Sequence, residues 1–462
     1  SMIKPARGWP ASGWRVSTML KQAIKFIIPK SFLSAYHKAL AVAANIIYWF
    51  PSRRLVVIGI IGTKGKSSTA VMITRILEEA GRTVGSTNTV FFKIGSTEWA
   101  NNKKQGMPGR FALQSMLRRM VRKKCDHAVI EVTSEGIAQH RHWGTSFDAA
   151  VFTNLSPEHI ESHGSYERYR AAKLVIFKEL HRSRRKTMGG EKVKKVIAAN
   201  AEDPEAKRFL QFKADEKWSV SCDPACRVSP QGALEKHMCV DEIKEAEHGI
   251  CFSLESHFFQ LPFHGIFMVR NALLAIAIAR SLGISLSACE QALEKMEPIP
   301  GRVELIKTKQ GATVIIDYAH EPKSFEAILS LGRDLAKGHK LIALFGATGG
   351  GRDTAKRPKM GAIAAKYSDY IILTTDDPYD DDPQDIINDI VPGIASASKE
   401  WKQGENMWSI VDRAKAIEHA LARAKPGDVV LLLGKGSEAV MAVAGGRHIP
   451  WSDRSAVESL MP

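Results

Sequence analysis

Residues 55–80, LVVIGIIGTKGKSSTAVMITRILEEA, constrain the fold more than any other stretch of the chain. Leu55 to Ile61 is a short apolar, β-branched run without alternation, which predicts a parallel strand buried on both faces. The turn Gly62-Thr63-Lys64-Gly65-Lys66-Ser67 follows at once, and a helical pattern runs from Ser68 to Ala80, where Gly81 stops it. Strand, glycine-rich turn and helix in that order make a phosphate cradle. The turn aims backbone N–H groups at an anion, and the helix N-terminus adds partial positive charge. Lys66 reaches the β- and γ-phosphates, and Ser67 can ligate Mg2+. The standard nucleotide loop carries another glycine at the place taken here by Ile60; the nearest is Gly59. The stretch is a G-T-x-G-K-S variant, and it predicts nucleotide binding.

From residue 55 to about residue 300 strands alternate with helices. Ala128–Val132, Ala149–Asn154 and Lys195–Asn200 read as strands, and Phe111–Lys124 and Tyr166–Leu180 as helices. Such alternation predicts an α/β layer with a parallel sheet, with ligands gathered beyond the carboxyl ends of the strands. The Pro/Gly turn Pro298–Arg302 marks a boundary. A second alternation then predicts strands Thr313–Asp317, Lys340–Phe345, Tyr370–Thr374 and Val429–Leu433, with helices Ser324–Leu335, Met360–Tyr367 and Asp412–Ala424. The expected organisation is a basic arm over 1–54, a central P-loop nucleotide-binding domain over 55–300 and a Rossmann-like α/β domain over 301–462. A chain of 462 residues is long enough for two or three such cores.

The arm is unusual in charge. Lys4, Arg7, Arg15, Lys21, Lys25, Lys30, Lys38, Arg53 and Arg54 all precede the first acidic residue, Glu78. Ala39 to Phe50 is apolar apart from Asn45, yet too short to span a bilayer. Two readings stand: a helix packed on the next domain with its lysines solvated, or peripheral contact of residues 2–50 with an anionic membrane. The net charge of +16 suits anionic partners. The six cysteines lack a paired C-x-x-C pattern and are expected to be reduced thiols in a cytoplasmic protein.

Glu131 ends its strand in Glu131-Val-Thr-Ser-Glu-Gly, where a carboxylate can ligate a phosphate-bridging Mg2+. His159 and His163 follow the strand end at Thr153-Asn154. Lys173, in Tyr169-Arg-Ala-Ala-Lys173, reads by itself as a solvated helix lysine.

These blocks together resemble the Mur ligases of peptidoglycan synthesis, and within them the branch that adds the third amino acid to a UDP-N-acetylmuramoyl-dipeptide. The resemblance runs from about Val56 to the C-terminus. It includes Gly62-Thr-Lys-Gly-Lys-Ser, Glu131-Val-Thr-Ser, Gln139-His-Arg141, Phe152-Thr-Asn-Leu-Ser and His163-Gly with Ala171-Ala-Lys173. It continues through Asn271-Ala, Pro300-Gly-Arg302, Asp317-Tyr-Ala-His320, Gly351-Arg-Asp, Asp376-Asp-Pro, Gly434-Lys-Gly-Ser-Glu438 and Ser452-Asp-Arg.

The resemblance implies an ATP-dependent ligase that joins a muramoyl-peptide precursor to a free amino acid through an acyl phosphate. Gly62, Thr63, Lys64, Gly65, Lys66, Ser67 and Ser68 would hold ATP, bordered by Asn271, Arg302 and Asp317. Ser67, Glu131, His159 and Lys173 would hold Mg2+, with Lys173 carbamylated. Thr133, Gln139, Arg141 and His320 would face substrate. Arg352, Asp376, Asp377, Gly434 and Glu438 would read the incoming amino acid. Relatives that select diaminopimelate carry Asp-Asn-Pro-Arg where this chain has Asp376-Asp377-Pro378-Tyr379. The missing arginine, with Asp380, Asp381 and Asp382 adjacent, predicts a basic amino acid such as L-lysine or L-ornithine.

Lys64 departs from the family's usual asparagine and gives a spelling shared with folylpolyglutamate synthases, the alternative within ligases. Glu135 and Ser437 stand where relatives carry histidine. The region before residue 55 is about half the ordinary length of a UDP-holding domain, which leaves open a lipid-linked acceptor. A nucleic-acid-dependent P-loop ATPase would need stacking platforms or a helicase-type acidic motif; neither is visible, so no nucleic-acid partner is expected. A monomer is expected.

Overall fold

The computed structural model describes residues 30–101, 105–156, 163–223, 235–246, 248–351, 354–397 and 400–461. The predicted first strand forms at Val56–Ile61 and lies at the centre of a nine-stranded sheet. Across that sheet run Glu235–Cys239, Glu216–Ser221, Val196–Asn200, Ala149–Phe152, Val56–Ile61, His127–Glu131, Val84–Thr87, Phe91–Ile94 and Thr97–Ala100. Every pair is parallel except the last two, which close one edge as a meander.

The non-alternating strands are explained by helices on both faces. Ile58, Ile60, Val129 and Val151 point into one core, shared with helices Lys66–Glu79 and Ile266–Ser281. Val57, Ile61, Ala128, Ile130 and Ala150 point into the other, shared with helices Arg110–Arg122 and Tyr166–Arg182. Successive strand residues face opposite ways, so both faces must be apolar for both to be covered.

The expected parallel sheet forms, and a two-strand antiparallel meander extends it at one edge. A three-stranded antiparallel sheet, Glu242–Ala246, Gly249–Leu254 and His257–Leu261, was not anticipated. Glu242–Ala246 is largely exposed and polar, which hides the strand from any hydrophobic count. The second alternation builds a six-stranded sheet in the order Glu304–Lys307, Thr313–Asp317, Val429–Leu433, Leu341–Phe345, Tyr370–Leu373 and Met407–Ser409. Only its first strand is antiparallel. Because the strands at the heart of each sheet are parallel, Gly62, Glu131, Thr153 and Asn200 fall at one edge of the first sheet. Asp317 and Gly434 fall at the corresponding edge of the second.

Before the first strand, helix Lys30–Ile47 packs on helix Arg110–Arg122. Residues 2–29, the rest of the predicted arm, lie outside the described residues. Asn45 Nδ2 donates to Trp143 O at 2.8 Å, and Ser34 Oγ lies 2.9 Å from His140 Nε2. Beside this seam His142 is buried, and burial with the His140 charge pushes its pKa down to about 4. Burial lowers His37 and His140 as well, helped at His37 by Arg110, His140 and Arg141 and at His140 by Lys38 and Arg110.

The fold thus holds neutral His142, whereas an unfolded histidine protonates near about 6.5. Stability is fully present above that pH and falls as pH drops toward about 4. The expected loss is about 3 kcal/mol for His142. Denaturant unfolding across that window is expected to show the slope, and the His142→Gln protein to show less of it.

Candidate active site

The phosphate loop is positioned by the neighbouring strand end. Thr63 N donates to Asn154 O at 2.8 Å, and Lys64 N to Asn154 Oδ1 at 2.8 Å. Lys64 O in turn accepts from Thr153 Oγ1 at 2.5 Å and from Asn154 Nδ2 at 3.1 Å. Two glycines are required by space. A Cβ on Gly62 would sit 1.8 Å from Thr153 Oγ1, and one on Gly65 2.3 Å from Asn271 Oδ1, with Gly65 already at φ 81°. Gly65 is also the N-cap of helix Lys66–Glu79, and no side chain caps that helix. Its first-turn N–H groups have no intrahelical acceptor and open onto the site. Lys66 Nζ lies across the loop and donates to Thr63 O at 2.8 Å.

Ser67 and Glu131 meet beneath this helix end. Ser67 Oγ donates to Glu131 Oε2 at 2.8 Å, and Thr89 N donates to the same oxygen at 2.8 Å. Thr89 Oγ1 adds a bond to Glu131 Oε1 at 3.1 Å. Both Ser67 and Glu131 are buried. A hydroxyl and a carboxylate side by side at the phosphate end are an all-oxygen donor set suited to a hard cation such as Mg2+.

Lys173 is not the solvated lysine its helix position suggests by default. It is 2% exposed, donates to Gly62 O and lies with Nζ 4.5 Å from the centre of the Tyr169 ring. Tyr169 OH lies 3.1 Å from Thr63 Oγ1, tying that helix to the loop. His163 packs edge-on to Tyr169 at 5.3 Å, and its pKa is lowered chiefly by burial. His159 lies outside the described residues.

A cavity of about 720 Å3 opens over the loop. Gly62 through Ser68, Glu131, Thr133, Arg141, Lys173, Asn271, Arg302, Asp317 and His320 all line it, so most of the predicted site converges. The far wall comes from the second sheet. Asp317 accepts from Val303 N at 2.9 Å and Ala319 N at 2.7 Å; burial raises its pKa, against the pull of Arg302. Arg302 stacks over Tyr318 at 4.5 Å, and its Nε is buried without a hydrogen-bond partner among the described atoms. An orphaned guanidinium donor on the wall facing a phosphate cradle fits a polyphosphate ligand.

At the other end Thr133 Oγ1 caps helix Ser134–Ala138 by accepting from Gly136 N at 3.0 Å. Gln139 does not line the cavity. Its Oε1 instead holds Arg141, accepting at 2.9 Å from Nη2, while Arg141 Nη1 donates to Met107 O at 2.6 Å. Gln139 therefore positions the arginine that faces the cavity.

Asp376, Asp377, Gly434 and Glu438 are also not cavity-lining; they gather behind Tyr318 around Lys435, which is wholly buried. Lys435 Nζ reaches Asp377 Oδ1 at 2.8 Å and Glu438 Oε2 at 2.7 Å, with Asp376 at 3.6 Å. These carboxylates raise the Lys435 pKa against its desolvation, while burial raises Asp376. The three acids that follow Tyr379 are each held by a backbone N–H. Asp380 accepts from Gly445 N, Asp381 from Gly350 N, and Asp382 caps helix Pro383–Asn388. Asp377 has a backbone partner too, accepting from Ala442 N at 2.8 Å, and what sets Asp376, Asp377 and Glu438 apart is their shared contact with Lys435. Arg352 lies outside the described residues.

Thr89, Tyr169 and Lys435 were missed as site residues. Tyr169 was findable, because it stands one helical turn before Lys173. Lys435 was quoted within its block but not assigned a part. Nothing local marks Thr89, whose bond to Glu131 spans 42 residues.

Comparison with known proteins agrees with this geometry. The Mur ligase middle domain profile matches residues 60–279, and the Mur ligase glutamate ligase domain profile residues 301–436. The UDP-N-acetylmuramyl-tripeptide synthetase of Roseiflexus sp. (strain RS-1) is 36% identical over 423 residues, covering 90% of this chain and 80% of that protein. The chain belongs to the Mur ligase family. As a Mur ligase it is an ATP-dependent amino-acid ligase.

A second relative, the UDP-N-acetylmuramoyl-L-alanyl-D-glutamate–2,6-diaminopimelate ligase of Aquifex aeolicus (strain VF5), is 34% identical and covers 96% of this chain and 85% of its own. A solved diaminopimelate ligase superposes with a TM-score of 0.56 at 25% identity, over 88% of this chain and 78% of that one. A folylpolyglutamate synthase from Mycobacterium tuberculosis reaches a TM-score of 0.61 at 16% identity, covering 86% of this chain and 92% of that one. That likeness is one of fold, which the two kinds of ligase share.

Proposed function

We propose that this Mur ligase adds the third amino acid, a basic one, to UDP-N-acetylmuramoyl-dipeptide. The observation that carries the reaction type is the Ser67–Glu131 pair under an uncapped helix N-terminus, faced across one cavity by Arg302 and Asn271. Lys66 and the first-turn amides would hold the β- and γ-phosphates of ATP. Ser67 and Glu131, with His159 and a carbamylated Lys173, would hold Mg2+, which supplies charge neutralisation at the transferring phosphoryl group.

The acceptor carboxylate, brought in past Thr133, Arg141 and His320, takes the γ-phosphoryl group and becomes an acyl phosphate while ADP leaves. The amine of the incoming amino acid then attacks the acyl carbon, the amide forms, and phosphate departs with the proton balance restored to solvent. The names of the relatives support the third position in the stem peptide.

Support for a basic side chain comes from the second cluster. Asp376, Asp377 and Glu438 outnumber Lys435, and Tyr379 stands where an arginine would grip a second carboxylate. Diaminopimelate is the second reading, favoured by the name of the Aquifex aeolicus relative. Phosphate release with ATP, acceptor and each amino acid in turn separates them. L-lysine or L-ornithine is expected to exceed meso-diaminopimelate by about tenfold or more in kcat/KM, an advantage of ~1.4 kcal/mol. Turnover with diaminopimelate and none with lysine would overturn the charge argument and leave the ligase reading standing.

A further inference from the structure

Helix Lys30–Ile47 is turned inside out relative to an ordinary surface helix. Its polar residues face the protein: Asn45 is buried and bonds Trp143 O, and Ser34 meets His140. Ala41 and Ala44 are buried with them, whereas its largest exposed apolar residues face outward. Phe32, Tyr36, Ala39, Ala43, Ile46 and Ile47 recur at helical spacing along one side, away from the buried Ala41, Ala44 and Asn45. Phe32 is 65% exposed, Ile46 59%, and Trp49, just beyond the helix, 78%. Of the eleven large apolar residues exposed among the described residues, five lie between positions 32 and 49. They form one stripe rather than the scattered single residues that need no explanation.

We propose that this stripe docks on an anionic lipid surface. Charge selects the occupant. Arg53 and Arg54 are exposed just beyond the stripe, Lys38 is exposed on the flank of the helix beside Trp143, and no acidic residue precedes Glu78. A second copy would bring the same positive face against this one. Acidic headgroups complement it instead. Among the described residues no helix is long and apolar enough to cross a membrane, so the helix lies in the interfacial plane with its stripe in the acyl boundary and its cations at the headgroups.

The placement also bears on the reaction. The segment that clasps the helix, His140 to Trp143, contains Arg141 on the cavity wall. A docked protein therefore holds the acceptor end of its cavity beside the bilayer. The docking itself goes beyond the ligase reading and does not depend on it.

Vesicle flotation of the full chain tests the inference, using equimolar phosphatidylglycerol and phosphatidylcholine against phosphatidylcholine alone. The protein is expected to float with the anionic vesicles and to lose about tenfold or more of its bound fraction on neutral vesicles or at high salt. The variant F32S/Y36S/I46S/I47S/W49S alters only exposed side chains and no cavity residue. Its bound fraction is expected to fall about tenfold or more, while its vesicle-free ligase rate stays within about twofold of the original. Failure of the unaltered chain to float with anionic vesicles, or equal flotation of the variant, would overturn the proposal. So would a dimer that the variant breaks while neither protein floats, which assigns the stripe to a second copy. The vesicle-free rate is read separately, so the ligase reading stands or falls on its own.

Discussion

Replacing Lys66 with alanine is expected to lower ATP-dependent product formation about a thousandfold, the scale of losing one cation aimed at a transferring phosphoryl group. Lys66 opens helix Lys66–Glu79 and lies across the loop, so its ammonium is placed where the phosphates would sit. The fold should barely notice. Lys66 is only part-buried and its bond to Thr63 O is one neutral acceptor, so stability is expected to change by ~1 kcal/mol or less. Parallel denaturant unfolding and phosphate-release assays separate the two effects. A variant that stays folded and turns over at the original rate would remove Lys66 from the chemistry.

Lys173→Met is expected to cost about a hundredfold or more in kcat, and Lys173→Arg to fare no better although it keeps the positive charge. The reason is chemical. A buried lysine beside the loop, bonded to Gly62 O, would ligate a cation there only as a carbamate, and an arginine cannot be carbamylated. Lys173→Glu, which supplies a shorter carboxylate, is expected to recover part of the lost rate, and the unaltered protein to slow in bicarbonate-free buffer. An intact-mass increment of one CO2, absent from Lys173→Arg, is the direct readout. Equal activity of the lysine and arginine proteins would exclude the carbamate. Stability needs its own control here, because removing Nζ strips a buried carbonyl of its donor at a cost of about 1–3 kcal/mol.

The strand–turn–helix of residues 55–80 was legible because three local signals agree: an apolar run, paired glycines, and a periodic helix with a stop at Gly81. Thr313–Asp317 and Val429–Leu433 form with the bounds expected for them, since each is a buried apolar run between polar turns. Residues 242–246 were not legible, because an exposed edge strand of charged residues carries no burial pattern.

The site divides in the same way. Lys66, Ser67 and Glu131 follow from where strands end, which sequence shows. The actual environments of Lys173 and Gln139 follow from which helix packs on which loop, which it does not. Asp380, Asp381 and Asp382 make the point most sharply. Three adjacent acids read as one patch of negative charge, yet each is engaged by a different backbone N–H, and only coordinates reveal the three separate partners.

One assay reaches the central claim directly: phosphate release from ATP, with Mg2+ and UDP-N-acetylmuramoyl-dipeptide present, with and without L-lysine. The account predicts release that requires both acceptor and amino acid, a tripeptide product formed in step with phosphate, and loss of both signals in Lys66→Ala. Release that continues unchanged without acceptor or amino acid, or the absence of any tripeptide under these conditions with every amino acid tried, would contradict it.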